Sequence, residues 1–165
     1  MFCHNCGEKL TLRFCEGEGL IPYCDKCGSF MFPPFSCAVS MTVINRTQDK
    51  ILLAKHTGQE DFVLFAGYVK KGENAEKAIP REIKEELSLN TVKMKYMSSR
   101  YHEPRNVLML GFIVVVENGE YKLKTDEVEE ARWCTFDEAK ALVKKGTTAE
   151  HFLNMAIAEL KRKAI

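Results

Sequence analysis

The stretch GYVKKGENAEKAIPREIKEELSL, residues 67–89, decides how this chain is read. On a helix turning about 100° per residue, with Glu82 as zero, Glu86 falls at about +40° and Glu85 at about −60°, so three carboxylates share one side. Ile79, Ile83 and Leu87 run down a neighbouring stripe, which seats that side on a core and aims the acidic side into a cleft. Three like charges there repel. A divalent cation resolves the repulsion, and hard oxygen ligands select Mg2+ or Mn2+. A solvated Glu/Lys helix, which Lys77 and Lys84 would suit, explains neither the offsets of Gly67 and Glu73 nor the Arg81-Glu82 pair.

The positions Gly67, Glu73, Arg81, Glu82, Glu85 and Glu86, with apolar Ile83 and Leu89, follow the order Gly-x5-Glu-x7-Arg-Glu-(apolar)-x-Glu-Glu-x-Gly-(apolar). This spacing resembles the Nudix box, the signature of Mg2+-dependent hydrolases of nucleoside diphosphate derivatives. Ser88 stands where that family has Gly. The resemblance implies an α+β fold, the α/β/α sandwich with a mixed sheet. It implies that Glu82, Glu85, Glu86 and a backbone carbonyl at Ala66 or Gly67 hold Mg2+ or Mn2+ ions, and that a metal-activated water cuts a phosphoanhydride. Glu82 or Glu86 is the implied general base; Arg81 and Glu73 are the implied pair that orients loop and helix.

Within the helix, Asn74 is the expected N-cap. Pro80 then falls at about the sixth helical position, where proline removes a hydrogen bond and clashes with the preceding turn. A kink is expected, or a helix that effectively starts near Pro80, with the carboxylates beyond it spared. Ser88 makes termination harder than Gly would.

Cysteine spacing carries a second signal. Cys3-His4-Asn5-Cys6-Gly7 and Cys24-Asp25-Lys26-Cys27-Gly28 form two CxxC pairs in the range of a four-thiolate structural Zn2+ site. Disulfides or a redox CxxC are the competing readings. The Gly after each pair suits a tight turn that brings backbone N–H groups towards the sulfurs. The N-terminus, MFCHNC, has no apolar leader core, so reduced thiols and a cytoplasmic location are expected. Cys37 and Cys134 sit in apolar runs and read as core thiols, Cys15 falls in the ribbon's loop, and His4 reads as exposed because four thiolates already fill a tetrahedron.

Of the 165 residues, 1–35 read as a zinc ribbon too small to hold a core without its metal, and 36–165 as one larger domain. The net charge of +1 disfavours nucleic acid as a partner, and no apolar run approaches a membrane span. A small nucleotide is the expected ligand, and a homodimer is left open. The join, FMFPPFS at residues 30–36, should be extended and stiff, with its aromatics packed on one of the domains. Strands are expected at residues 37–44, 51–54, 92–100, 107–116, 121–124 and 131–134, with 62–66 leading into the glutamate-bearing stretch. Two helices close the chain, opened by Thr135-x-x-Glu138 and Thr147-x-x-Glu150 capping boxes, with Gly146 ending the first and Leu153, Ala156, Ile157 and Leu160 buried on the second.

Residues 127–134, EVEEARWC, resemble the family's late strand ending in Glu-Ala-x-Trp. Members use a glutamate six residues before that tryptophan as a further metal or base ligand, which here is Glu127; the competing reading is a solvated acidic run, DEVEE. A zinc ribbon ahead of a Nudix domain resembles the NADH pyrophosphatase branch, which cuts the diphosphate of NADH into two mononucleotides. That branch carries Ser-Gln-Pro-Trp-Pro-Phe-Pro-x-Ser downstream. Here SSRYHEPRNVLM, residues 98–109, matches only at Ser99 and Leu108-Met109. Tyr101, as a stacking face, and Arg105, as a phosphate holder, are the expected substitutes, against a reading of both as plain loop residues. The other functions in view are a nucleoside diphosphate sugar or triphosphate hydrolase and a non-catalytic nucleotide sensor with an interaction module. Retention of every carboxylate of the RExxEE core favours the enzyme.

Overall fold

The computed structural model describes residues 1–124 and 127–162. It contains two compact units, Met1–Phe35 and Ser36–Ile165. In the first, β1 (Thr11–Cys15), β2 (Gly19–Cys24) and β3 (Ser29–Phe30) form an antiparallel sheet in that order. Its apolar interior is small, consisting of Cys3, Cys24 and Met31 with Cys6 and Leu10 against them. Phe30 meets Tyr23 edge to face at 5.0 Å. Phe32 and Phe35, expected to pack on a domain, are instead 54% and 58% exposed. The prolines between them keep the chain extended and point these rings outward.

The second unit is built on β4 (Ser36–Ile44), β5 (Ile51–His56), β6 (Phe62–Val63), β7 (Phe65–Tyr68), β8 (Thr91–His102), β9 (Val107–Val116) and β10 (Val128–Cys134). The sheet order is β10-β5-β4-β9-β8, with β6 on β5 and β7 on β4; β4 and β9 pair parallel and the other strand pairs antiparallel, so the sheet is mixed. Strand alternation divides the apolar residues between two layers. Val39, Met41, Val43, Leu52, Ala54, Phe112 and Val114 face one core, which α1 (Ala75–Leu87) closes with Ala78, Ile79, Ile83 and Leu87. Ile44, Ile51, Leu53, Ile113 and Val115 face the other, closed by α2 (Phe136–Leu142) and α3 (Thr148–Arg162) through Ala139, Phe152, Leu153, Ala156 and Ile157. A Cβ on Gly111 would stand 2.4 Å from the Phe152 ring, so this glycine lets α3 lie against the sheet. The α/β/α order expected from the box is the order observed. Among the described residues no helix is long and apolar enough to cross a membrane.

Several local expectations are corrected. Helix α1 does not begin at Pro80; it runs unbroken from Ala75, its first turn closed by Lys77 and Ala78 N–H donating to the Asn74 carbonyl. The Asn74 side chain makes no cap bond. Residues 121–124 are not a strand. They serve the end of α1, Lys122 N–H donating to Leu87 O at 2.9 Å and Lys124 N–H to Glu86 O at 3.3 Å, so carbonyls orphaned at the helix C-terminus find partners there. Gly146 does not end α2, which stops at Leu142; it lies in the turn before α3 and donates its N–H to Glu150. The Thr135 capping box is complete. Cys134 is buried, but Cys37 only half-buried.

Candidate functional site

The N-terminal cysteines form the one group, among the described residues, whose ligand atoms gather within 4.8 Å of one another. Cys3 Sγ lies 3.9 Å from Cys27 Sγ and Cys6 Sγ 3.5 Å from Cys24 Sγ. A tetrahedron with metal–sulfur bonds of about 2.3 Å has edges of about 3.8 Å, whereas a disulfide needs about 2.05 Å. Gly7 and Gly28 sit at φ 75° and 66°, each donating its N–H to the carbonyl of the first cysteine of its pair, while Cys27 N–H reaches Cys24 Sγ at 3.4 Å. Contact with the Cys6 and Cys24 sulfurs, and then burial, pushes the Cys27 thiol up to about 12. Four crowded thiols of this kind ionise together only around a cation, so the donor set fits Zn2+. His4 is exposed, as expected.

The acidic side of α1 is assembled from the sheet upward. Gly67 on β7 pairs with Val39 and faces α1, and a Cβ there would stand 2.2 Å from Glu82 Cδ. Only glycine lets the Glu82 carboxylate lie over that strand. Arg81 then ties the helix to the loop before it: Nε and Nη2 donate to the two Glu73 oxygens at 2.7 and 2.8 Å, and Nη2 also reaches Tyr68 O at 3.1 Å. Lys70 N–H donates to the same Glu73 carboxylate at 3.0 Å. The guanidinium, aided by that N–H, holds Glu73 down to about 2. Arg81 Nη1 reaches onward to Glu82 Oε1 at 2.6 Å and Glu85 Oε2 at 3.1 Å.

Glu86 completes this side. It is half-buried, and burial first, then the charges of Glu82, Glu127 and Glu85, push its carboxyl up to about 7. Three acidic neighbours around a half-buried fourth make a spot where a dication stabilises the ionised form. The charges of Glu82, Glu85 and Glu127 thus all act on Glu86, the last from the turn before β10, although their oxygens are not drawn together as the cysteine sulfurs are; oxygen donors of this kind fit Mg2+ or Mn2+. Asp126 of the acidic run lies outside the described residues. Ala66 is exposed on β7 beside Gly67. Tyr101, at the end of β8, is 51% exposed with its hydroxyl on Asn106 Oδ1, and exposed Arg105 lies in the 3-10 turn Glu103–Arg105.

Three participants escape sequence reasoning. The Tyr68 carbonyl is an acceptor for Arg81, and backbone acceptors leave no mark in residue identity. Thr57 N–H and His56 Nδ1 both meet the Glu127 carbonyl, at 3.0 and 3.1 Å, and nothing in the spacing of residues 70 and 71 apart signals it.

A mixed sheet with helices on both faces, and an acidic helix seated by its glutamate on a strand glycine, defines a Nudix-fold domain. The NUDIX domain family matches residues 35–154, and the chain belongs to the Nudix family. It is 30% identical over 159 residues to a protein of Pseudomonas aeruginosa called NAD-capped RNA hydrolase NudC, covering 95% of this chain and 55% of that one. The namesake of Stutzerimonas stutzeri is 31% identical over 159 residues, covering 95% of this chain and 56% of that one. The chain therefore spans little more than half the length of these relatives. A crystal structure of a Nudix hydrolase from Nitrosomonas europaea superposes with a TM-score of 0.68 at 20% identity, covering 98% of this chain and 92% of that one, a likeness of fold.

Proposed function

We propose that this chain hydrolyses the phosphoanhydride of a nucleoside diphosphate derivative, with NADH, NAD or an NAD-type cap as the substrate class. The observation that carries the reading is the acidic side of α1, where half-buried Glu86 lies under the charges of Glu82, Glu85 and Glu127 and Arg81 is bonded to Glu82 and Glu85. The dinucleotide is favoured by relatives named for NAD-capped RNA, whose match covers 95% of this chain.

Glu82, Glu85, Glu86, Glu127 and a carbonyl at Ala66 or Gly67 are the groups proposed to hold Mg2+ or Mn2+. Bound there, the ion neutralises the diphosphate and lowers the pKa of the attacking water. Arg81 and Glu73 keep the loop and helix in register, so the carboxylates meet the substrate without reorganising. Glu82 already has one oxygen on Arg81, so Glu86 is the carboxylate proposed to take the water's proton. Tyr101 offers a face for a base and Arg105 a charge for a phosphate. The four cysteines are proposed to form a structural zinc ribbon over residues 1–35.

The test is incubation of the full chain with Mg2+ and a panel of NADH, NAD, NAD-capped RNA, nucleoside diphosphate sugars and nucleoside triphosphates, with released mononucleotides measured. Cleavage of the dinucleotides at the anhydride is expected. Inert dinucleotides beside a cleaved sugar nucleotide or triphosphate would overturn the substrate class. An entirely inert panel, with nucleotide binding intact, would replace the hydrolase by a sensor.

A further inference from the structure

We infer that His56 is a positioning residue that fixes Glu127 beside Glu86; the inference rests on the reading of Glu127 as a metal or base ligand. Glu127 belongs to an acidic stretch that a solvated loop would explain equally well from sequence. Its backbone says otherwise. The Glu127 carbonyl takes two donors at once, Thr57 N–H at 3.0 Å and the His56 imidazole at 3.1 Å. A carbonyl can only accept, so His56 Nδ1 carries the proton. The next residue, Val128, opens β10 directly opposite His56, and a register shift follows between Val128 and Glu130. Pairing therefore starts at the His56–Val128 position and turns irregular just beyond it, leaving Glu127 at the hinge between loop and strand.

Strand pairing of Val128 with His56 accounts for the Thr57 bond but has no need of the second, from the His56 imidazole. A ligand carboxylate does, because its oxygen must return to one place for the ion to be held, and partners behind a ligand tune affinity by holding it there. Lys124 N–H on Glu86 O ties the other side of the same segment to α1 at 3.3 Å. His56 thus acts on the metal site through the backbone of Glu127 and touches neither substrate nor ion.

The test uses the full chain with Mn2+ alone as probe, its binding read by electron paramagnetic resonance, alongside the Mg2+ concentration for half-maximal turnover and the melting temperature. Glu127→Gln is expected to weaken Mn2+ binding about ten-fold. His56→Ala should weaken it about three- to ten-fold, the range of one lost hydrogen bond, at a melting temperature near that of the parent. His56→Asn, whose amide places an N–H near the position of Nδ1, should restore binding to within about two-fold. In the His56→Ala/Glu127→Gln double variant the two losses should not add, since one acts through the other. Parent-like Mn2+ binding in His56→Ala while Glu127→Gln is impaired, or strictly additive losses, overturns the role of His56. Parent-like binding in Glu127→Gln overturns the assignment of Glu127 itself and the inference with it.

Discussion

At the residue scale, Glu86 is the most exacting side chain. Its carboxyl is raised to about 7, chiefly by burial, against an ordinary value of about 4.3. Between those values the folded, metal-free protein holds a proton that the unfolded chain has released, so stability falls as pH rises through this window. Glu86→Gln should abolish that fall and, at pH 8 without metal, melt no lower than the parent; a lower melting point would contradict the crowding described here. The same proton competes with metal, so Mg2+ or Mn2+ binding should tighten from pH 6 to pH 8 by more in the parent than in Glu86→Gln. Titration calorimetry at both pH values checks this. Tyr101→Ala should raise KM for NADH about ten-fold with kcat little changed, since a base–aromatic stack contributes about 1–3 kcal/mol. An unchanged KM would return Tyr101 to a plain loop residue. The acidic residues are legible in sequence because carboxylate offsets on a helix are a one-dimensional pattern. The raised Glu86 carboxyl is not, because it depends on burial in the folded chain and on Glu127, 41 residues away.

At the element scale, α1 is held by contacts that local propensity does not encode. Pro80 argues for a late start, yet Ile79, Ile83 and Leu87 are fully or nearly fully buried, and that packing holds the first turn in place around a proline. Its C-terminus is served by residues 122 and 124, a tertiary arrangement that looks like strand chemistry when only alternation is read. Ser88 occupies the left-handed region at φ 62°, where Gly would be at ease. Ser88→Gly is therefore expected to stabilise the larger unit by about 1 kcal/mol, raising its melting temperature by a few degrees. The bond of its hydroxyl to Lys122 O, at 3.4 Å, is long and exposed. A fall in melting temperature would show that this contact outweighs the backbone strain. Strands β4, β5 and β9 are legible because each is mainly apolar, as strands covered on both faces are, with Ser40 and Thr42 in β4 the buried polar exceptions.

At the scale of the whole molecule, the two units draw on different sources of stability. The larger has two packed layers, while the smaller has a buried interior of Cys3, Cys24 and Met31 and so depends on whatever joins its sulfurs. One zinc per chain is expected by elemental analysis of protein purified without chelator, and none in Cys24→Ser. In that variant protease should cut within residues 1–35 while the melting transition of the larger unit persists; a zinc-free native protein would count against the ribbon. The cysteine spacing and the box are both legible because metal sites repeat short offsets. Substrate choice is not, because the side chains proposed for it, Tyr101 and Arg105, are exposed and of types that serve many surfaces equally well. The most direct test of the acidic face of α1 is the rate of mononucleotide release from NADH by the parent and by Glu86→Gln, with and without Mg2+. The expected result is turnover that requires Mg2+ in the parent and falls by about two orders of magnitude or more in Glu86→Gln, the scale of losing a charge-stabilising group. Turnover that is indifferent to Mg2+, or a Glu86→Gln variant as fast as the parent, would contradict the assignment of that face as the hydrolytic centre.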